Sequence, residues 1–320
     1  MRRREFVVGS VAALVAIRGG SILAHGTPQA ASAALGNLGY PESVFTFTEA
    51  GFEIPSDIQA GVLQVTLDNQ AAFPVGFSLI QLPEGASMAD LAPPAGATPS
   101  PDAGMPPVLY DATWAGGVFA MPASRSSVIL KLGPGEWILD AGPDSGLEPS
   151  VFSVAGEASS DEIPSDGATV VELDNFQIRL PKTVPAGAGL WHVSNVGDQP
   201  HEVFIASTPV RLSPEDITTL LMLPEDATPP AGLPSFEEIQ QVAVVPPLSI
   251  GQAILFEMSL APGHYLGACF IPDRTEGMPH AMEGMVVSFS IGAEGETVEP
   301  PSSPVPMDHM RTFRPGLRLA

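Results

Sequence analysis

The sequence predicts an all-β protein built as two β-sandwiches in tandem, and three observations carry that expectation. Thirty-five Pro and 32 Gly, about a fifth of the 320 residues, are too many for a helical bundle and favour short strands joined by turns. Apolar residues alternate with period two in Leu63-x-Val65-x-Leu67 and Val203-x-Ile205, so each run presents one greasy face. The chain also repeats itself at a spacing of about 126 residues, which marks a duplicated domain and not a solenoid.

The repeat orders the elements. Gly61–Asn69 aligns with Gly189–Asn195, and Phe73-Pro74-Val75-Gly76-Phe77 with Gln199-Pro200-His201-Glu202-Val203. Leu132-Gly133-Pro134-Gly135 aligns with Leu260-Ala261-Pro262-Gly263, and Phe52 is set against Phe176. The Pro-Gly pairs read as tight turns leading into the next strand. Val128–Leu132 and Ala253–Met258 are a further matched pair of apolar strands. Helix signals are confined to insertions. Ser213-Pro214-Glu215-Asp216 supplies an N-cap, a proline at the first helical position and acids facing the macrodipole. A second short helix is expected through Ser235–Ile239, whereas 92–107 reads as an irregular loop.

The first 33 residues read as an address. Arg2-Arg3-Arg4-Glu5-Phe6 precedes the run 7–17, too short to span a bilayer, and Arg3-Arg4-x-Phe6 resembles a twin-arginine export signal. Ala31-Ser32-Ala33 is one small-residue cleavage site, and an uncleaved N-terminal anchor is the alternative. No later segment is expected to cross a membrane. The expected division is therefore a signal over 1–33, a first domain over 37–157, a second over 162–294 and a Pro-rich tail over 295–320. The boundary is the small acidic linker Ala158–Asp161, and the location is exported: periplasmic, extracellular or at the cell envelope.

Charge and cysteine count exclude whole classes of function. There are 36 Asp+Glu against 13 Lys+Arg, a net charge of −23, which becomes more negative once the arginine-rich leader is removed. Such a surface repels phosphate backbones, so no nucleic-acid partner is expected. It would instead steer a basic redox partner. The single cysteine, Cys269, rules out an internal disulfide framework.

The candidate chemistry lies in the second repeat. Cys269 follows one strand, His280 and Met285 sit on the loop before the last strand, and His201 opens a strand about seventy residues upstream. A thiolate, two imidazoles and a thioether are the donors of a His2Cys site with a weak axial Met. At the repeat offsets His201 corresponds to Val75 and Cys269 to Ala141, and 142–150 has neither His nor Met. The fold therefore does not demand these residues.

In the motif Cys269-x10-His280-x4-Met285, with Pro200-His201 upstream, the chain resembles the cupredoxins. The resemblance implies two tandem cupredoxin-like Greek-key β-sandwiches with short helical insertions, the first without ligands. It implies one type 1 copper held by His201, Cys269, His280 and Met285, electron transfer as the function, and a redox partner protein. The ten-residue interval between Cys269 and His280 is longer than in plastocyanin- and azurin-like members and nearer to two-domain nitrite reductases; it leaves Met282 as a rival to Met285. His280, on the loop, is expected to be the ligand nearest the surface. His192 reads as structural, His264 as a solvated turn residue, and Trp137 and Trp191 as core. An electron carrier is favoured over a catalyst, because the chain has only six His and no His-x-His pair for a trinuclear copper centre. The alternative class is a metal-free binding or envelope-structural module, with a Cys269–His280 hydrolase dyad a distant third.

Overall fold

A computed structural model describes residues 33–91, 105–142, 145–224, 227–293, 296 and 298–302. The expected export signal, most of the 92–107 loop and most of the tail, with His309, lie outside the described residues.

Among the described residues sixteen strands form two sheets of eight. The first half of the chain supplies β1 (Glu42–Thr48), β2 (Gly51–Glu53), β3 (Gly61–Asn69), β4 (Val75–Gln81), β5 (Thr113–Ala120), β6 (Ser124–Leu132), β7 (Gly135–Asp140) and β8 (Ser150–Val154). The second supplies β9 (Thr169–Asp174), β10 (Gln177–Arg179), β11 (Gly187–Asn195), β12 (His201–Thr208), β13 (Gln240–Leu248), β14 (Ala253–Leu260), β15 (Gly263–Ala268) and β16 (Val286–Ile291). One sheet runs β10-β9-β11-β14-β6-β3-β1-β2 and the other β16-β15-β12-β13-β5-β4-β7-β8. Each half thus contributes the same four positions to each sheet, and the period-two alternation becomes an inner face of the sandwich. β1 with β3, and β9 with β11, pair parallel; the other pairings are antiparallel.

The two halves are fused more closely than a linker reading suggests. Sheets continue from one half into the other through β14–β6, where Leu255 pairs with Ile129 and Phe256 with Val128, and through Leu248–Ala115 between β13 and β5. In both junctions the strands that meet occupy equivalent positions in the two repeats. The core is likewise continuous: Phe45, Leu67 and Trp137 belong to the same buried cluster as Trp191, Val203 and Phe289. Trp137 and Trp191 are core aromatics, as expected.

Close approach at the junction requires glycine. Gly116 sits at φ +82°, and a Cβ there would lie 2.8 Å from the Ile254 side chain; a Cβ on Gly117 would lie 1.8 Å from the Phe77 carbonyl oxygen. Opposite Gly117 the ladder slips register between Ser78 and Ile80, as a β-bulge does.

The insertion after β12 folds as the caps predict. Ser213 and Asp216 form a reciprocal capping box on the helix Pro214–Leu221, which buries Ile217 and Leu220 against the outer face of the second sheet. Ser235 and Glu238 cap a single 3-10 turn, Phe236–Glu238. Pro107–Tyr110 forms one helical turn that begins at the last residue of the expected 92–107 loop. The hairpin registers also correct one alignment: Thr48 pairs with Gly51 and Asp174 with Gln177, so Phe176 stands opposite Ala50 in the repeat, not Phe52.

Candidate metal centre

His201 opens β12 where the chain enters the sheet, and its position is set by the preceding corner. Asn195, at the end of β11, donates through Nδ2 to the Gln199 and Leu248 carbonyls, at 2.7 and 2.6 Å, and accepts from the Gly197 N–H at 2.8 Å. Asn69 does the same at the matching corner of the first half, bonding the Phe73 and Ala120 carbonyls and the Ala71 N–H. The device belongs to the scaffold, and in the second half it delivers a histidine. Substituting Asn195→Ala would strand buried backbone groups worth about 1–3 kcal/mol each. We expect a chemical-denaturation midpoint lowered by about 3 kcal/mol in equivalent stability.

Cys269 lies just past β15, and the chain then makes a closed loop back to β16. The Cys269 N–H donates to Met285 O at 3.1 Å, the Ala281 N–H to Cys269 O at 2.6 Å, the His280 N–H to Ile271 O at 2.9 Å and the Met285 N–H to His280 O at 2.9 Å. Backbone bonds alone thus bring Cys269, His280 and Met285 to one spot. His280 begins a 3-10 turn, His280–Glu283, that ends at Gly284 with φ +103°. Gln199 ties this loop to the His201 corner: its Nε2 donates to Asp273 Oδ2 at 2.8 Å, and its Oε1 accepts from the Arg274 N–H at 2.9 Å. The first half clamps the loop from outside. The Tyr110 hydroxyl donates to Pro272 O at 3.0 Å, and Arg274 pairs with Asp111 at 2.8 Å.

Three of the four expected ligand side chains converge with their donor atoms facing one another. Nδ1 of His201 is 3.0 Å from Nδ1 of His280, and Cys269 Sγ is 3.9 Å from the first and 3.5 Å from the second. Metal–nitrogen and metal–sulfur bonds of about 2.0 and 2.3 Å in a trigonal plane put nitrogens about 3.5 Å apart and each about 3.7 Å from sulfur. The two sulfur–nitrogen sides match this within about 0.2 Å, and the nitrogen–nitrogen side is about 0.5 Å shorter. The fold is cupredoxin-like.

All three donors are sealed in: His201 is 1% exposed, and Cys269 and His280 are fully buried, as is Met285. Met285 is placed beside them through the backbone of His280 and Cys269, whereas Met282 is half-buried on the 3-10 turn. The expectation that His280 approaches the surface is corrected. Its backbone bond to Ile271 O draws it under the loop, and Phe176 stands edge-on to its ring at a centroid distance of 5.1 Å. His192 is buried away from this cluster on β11, and His264 is not simply solvated, since its Nδ1 is 2.8 Å from Ser290 Oγ.

Burial fixes the protonation of the donors. Loss of solvent lowers His201 to about 4 and, reinforced by its proximity to His201, lowers His280 to about 3, so both imidazoles are neutral near pH 7. The same burial, with Glu202 nearby, pushes the Cys269 thiol well above its ordinary range. A cluster of neutral imidazoles and a protonated thiol suits a cation that can displace the thiol proton. Nε2 of each ring is buried with no hydrogen-bond partner among the described residues, so the Nδ1 atoms are the ones turned to a common point.

Sequence reasoning missed the residues that hold the cluster. Glu202 lies on the outer face of β12, is 8% exposed, and accepts from the Phe270 N–H at 3.3 Å, pinning the residue next to Cys269. Burial raises its carboxyl to about 7. Gly197 packs on the His201 ring, since a Cβ there would come within 2.7 Å of Nε2. Phe176 has φ +56°, an uncommon conformation for a bulky residue, and occupies the β9–β10 turn. The signals available were the repeated Asn, the polar residue adjoining His201 and an aromatic in a two-residue hairpin.

No protein-family model and no curated protein matches the chain. Among solved structures it is similar to reduced auracyanin from Roseiflexus castenholzii, with 21% identity and TM-score 0.25 over 40% of this chain and 100% of that one. It is similar to auracyanin B, with 18% identity and TM-score 0.26 over 42% and 93%. It is also similar to a multi-copper oxidase from Pediococcus acidilactici, with 12% identity and TM-score 0.22 over 82% of this chain and 63% of that one. These likenesses are distant; the cupredoxin-like character rests on the chain's own strand order and ligand cluster. The described residues contain no helix long and apolar enough to cross a membrane.

Proposed function

We propose that the protein is an exported, type 1 copper-binding electron carrier in which His201, Cys269 and His280 form the equatorial ligand set and Met285 the axial ligand. The Nδ1–Nδ1–Sγ triangle of 3.0, 3.9 and 3.5 Å carries this reading. When bound, copper supplies a one-electron centre whose potential the axial ligand and the buried surroundings tune. The chain's own residues exclude water from the donors and hold both imidazoles neutral. They also fix the Cys269 backbone between Met285 and Ala281.

A carrier is preferred to a catalyst because the His201–Cys269–His280 cluster is sealed from solvent, which suits passage of an electron through the protein better than entry of a substrate. Of the remaining histidines, His192 and His264 stand apart from it. The first half, with Val75 and Ala141 at the equivalent ligand positions, acts in this reading as a metal-free domain, divided from the second near Ala158–Asp161. Residues 1–33 would serve as a twin-arginine export signal and direct the folded protein out of the cytoplasm. The acidic surface fits a basic redox partner, with association that weakens as salt rises.

The test is reconstitution. Titrating purified protein with Cu(II) is expected to give an intense visible thiolate-to-copper charge-transfer band saturating at one copper per chain. A colourless protein that takes up no copper would overturn the proposal. Phe176→Ala, which removes the ring beside His280, is expected to keep the band but shift its position and the measured reduction potential, with the fold retained by far-UV circular dichroism.

A further inference from the structure

A cavity of about 480 Å³ opens on the outer face of the second sheet, where the two halves join. The first half contributes Val75, Gly76, Ala141 and Gly142, the end of the sandwich that has no ligand side chains. The second half contributes Glu202 and Phe270, the residues that follow His201 and Cys269. Aromatic residues stand among prolines and small residues in the walls: Phe73, Phe77, Trp114, Phe119, Phe204 and Phe270. Phe73 and Phe119 are 47% and 38% exposed, an unusual degree for rings that border a recess.

Two carboxyl groups line this apolar space, Glu202 from β12 and Asp140 from the end of β7. Glu202 is nine-tenths buried; one of its oxygens accepts from the Phe270 N–H. Asp140 accepts from the Gly142 N–H at 3.0 Å. Among the described residues no Lys, Arg or His lines the cavity, and neither carboxyl belongs to an ion pair. An anion would meet two acids and no base. A neutral apolar molecule would fill the walls and leave the acids without a counter-charge. A small organic cation fits better than either, because its ammonium pairs with the Asp140 carboxylate while aromatic faces attract cationic charge and accept an apolar body.

We propose that this cavity is a binding site for a small apolar organic cation, an aryl- or alkyl-ammonium, whose charge is held by Asp140 beside the aromatic rings of the wall. The site does not depend on copper, so its failure and that of the electron-carrier reading are separately visible.

Calorimetric titration of the full chain with phenethylammonium at pH 8, against the isosteric neutral phenethyl alcohol, tests it. The amine is expected to bind at one site at least tenfold more tightly than the alcohol and to change Trp114 fluorescence. Asp140→Asn, which lies apart from the copper cluster, is expected to weaken the amine at least fivefold without altering the alcohol. Ser78→Trp, placing bulk in the cavity wall, is expected to abolish binding of both while thermal unfolding stays cooperative. Absence of amine binding, equal affinity for amine and alcohol, or an unchanged amine affinity in Asp140→Asn would each overturn the site.

Discussion

Cys269→Ser is expected to abolish the visible charge-transfer band altogether and to weaken copper at least about 100-fold, since loss of outer-shell partners alone costs 10–100-fold. The substitution is nearly isosteric, so the physical argument concerns donor chemistry. Cys269 sits fully buried between two neutral imidazoles, 3.9 and 3.5 Å from their Nδ1 atoms. A thiolate there completes a soft, covalent donor set, whereas an alcohol at the same place remains protonated and a poor ligand. The backbone bonds of Cys269 to Met285 and Ala281 do not involve the sulfur, so the loop is expected to close as before. The variant therefore separates ligand chemistry from folding. Visible absorption and metal content should collapse while the denaturation midpoint of the metal-free protein moves by less than about 1 kcal/mol. A Cys269→Ser protein that retained the band would show that the colour comes from another site.

Gly117→Ala is expected to be the most damaging glycine-to-alanine change among the described residues. Its Cβ would be placed 1.8 Å from the Phe77 carbonyl oxygen and within 3.0 Å of Ser78 Cα, all backbone atoms that no rotamer change can move aside. β5 would have to lift from β4, and β5 is also the strand that reaches across to β13 through Ala115 and Leu248. We expect a loss on the order of 4 kcal/mol or more, seen as a lowered denaturation midpoint or as insoluble expression. Gly142→Ala is the control. Unlike Gly117 it has a positive φ, +80°, but its Cβ would meet nothing within 4 Å, so only the conformational cost of about 1–2 kcal/mol arises there. Similar losses in the two variants would argue against the close approach at Gly117.

Much of this architecture was legible in the sequence because its signals are local. Period-two runs marked β3 and β12, matched apolar runs marked β6 and β14, and Pro-Gly pairs marked the turns before β7 and β15. The caps at Ser213 and Ser235 foretold the helical turns. β5 and β13 were hidden by Gly116-Gly117 and Pro246-Pro247, residues that ordinarily break strands and here serve the junction. Three donors on one loop at a recognisable spacing made the candidate cluster readable. The edge pairing of β6 with β14 carries no local mark, because a strand's neighbours across a sheet are chosen by the whole fold. For the same reason the burial of His280 and the roles of Gln199, Glu202 and Phe176 emerged only in three dimensions.

The pairing of Val128 with Phe256, residues 128 positions apart in a chain whose repeat has that spacing there, has an ancestral reading. Equivalent strands that meet antiparallel about their own midpoint do so by a dyad, the symmetry of an isologous dimer. The chain is in that sense two protomers welded end to end. Covalent linkage released one of them from having to match the other. One half carries the histidines and the thiol, while its twin, with Val75 and Ala141 in the matching places, completes the same two sheets without them.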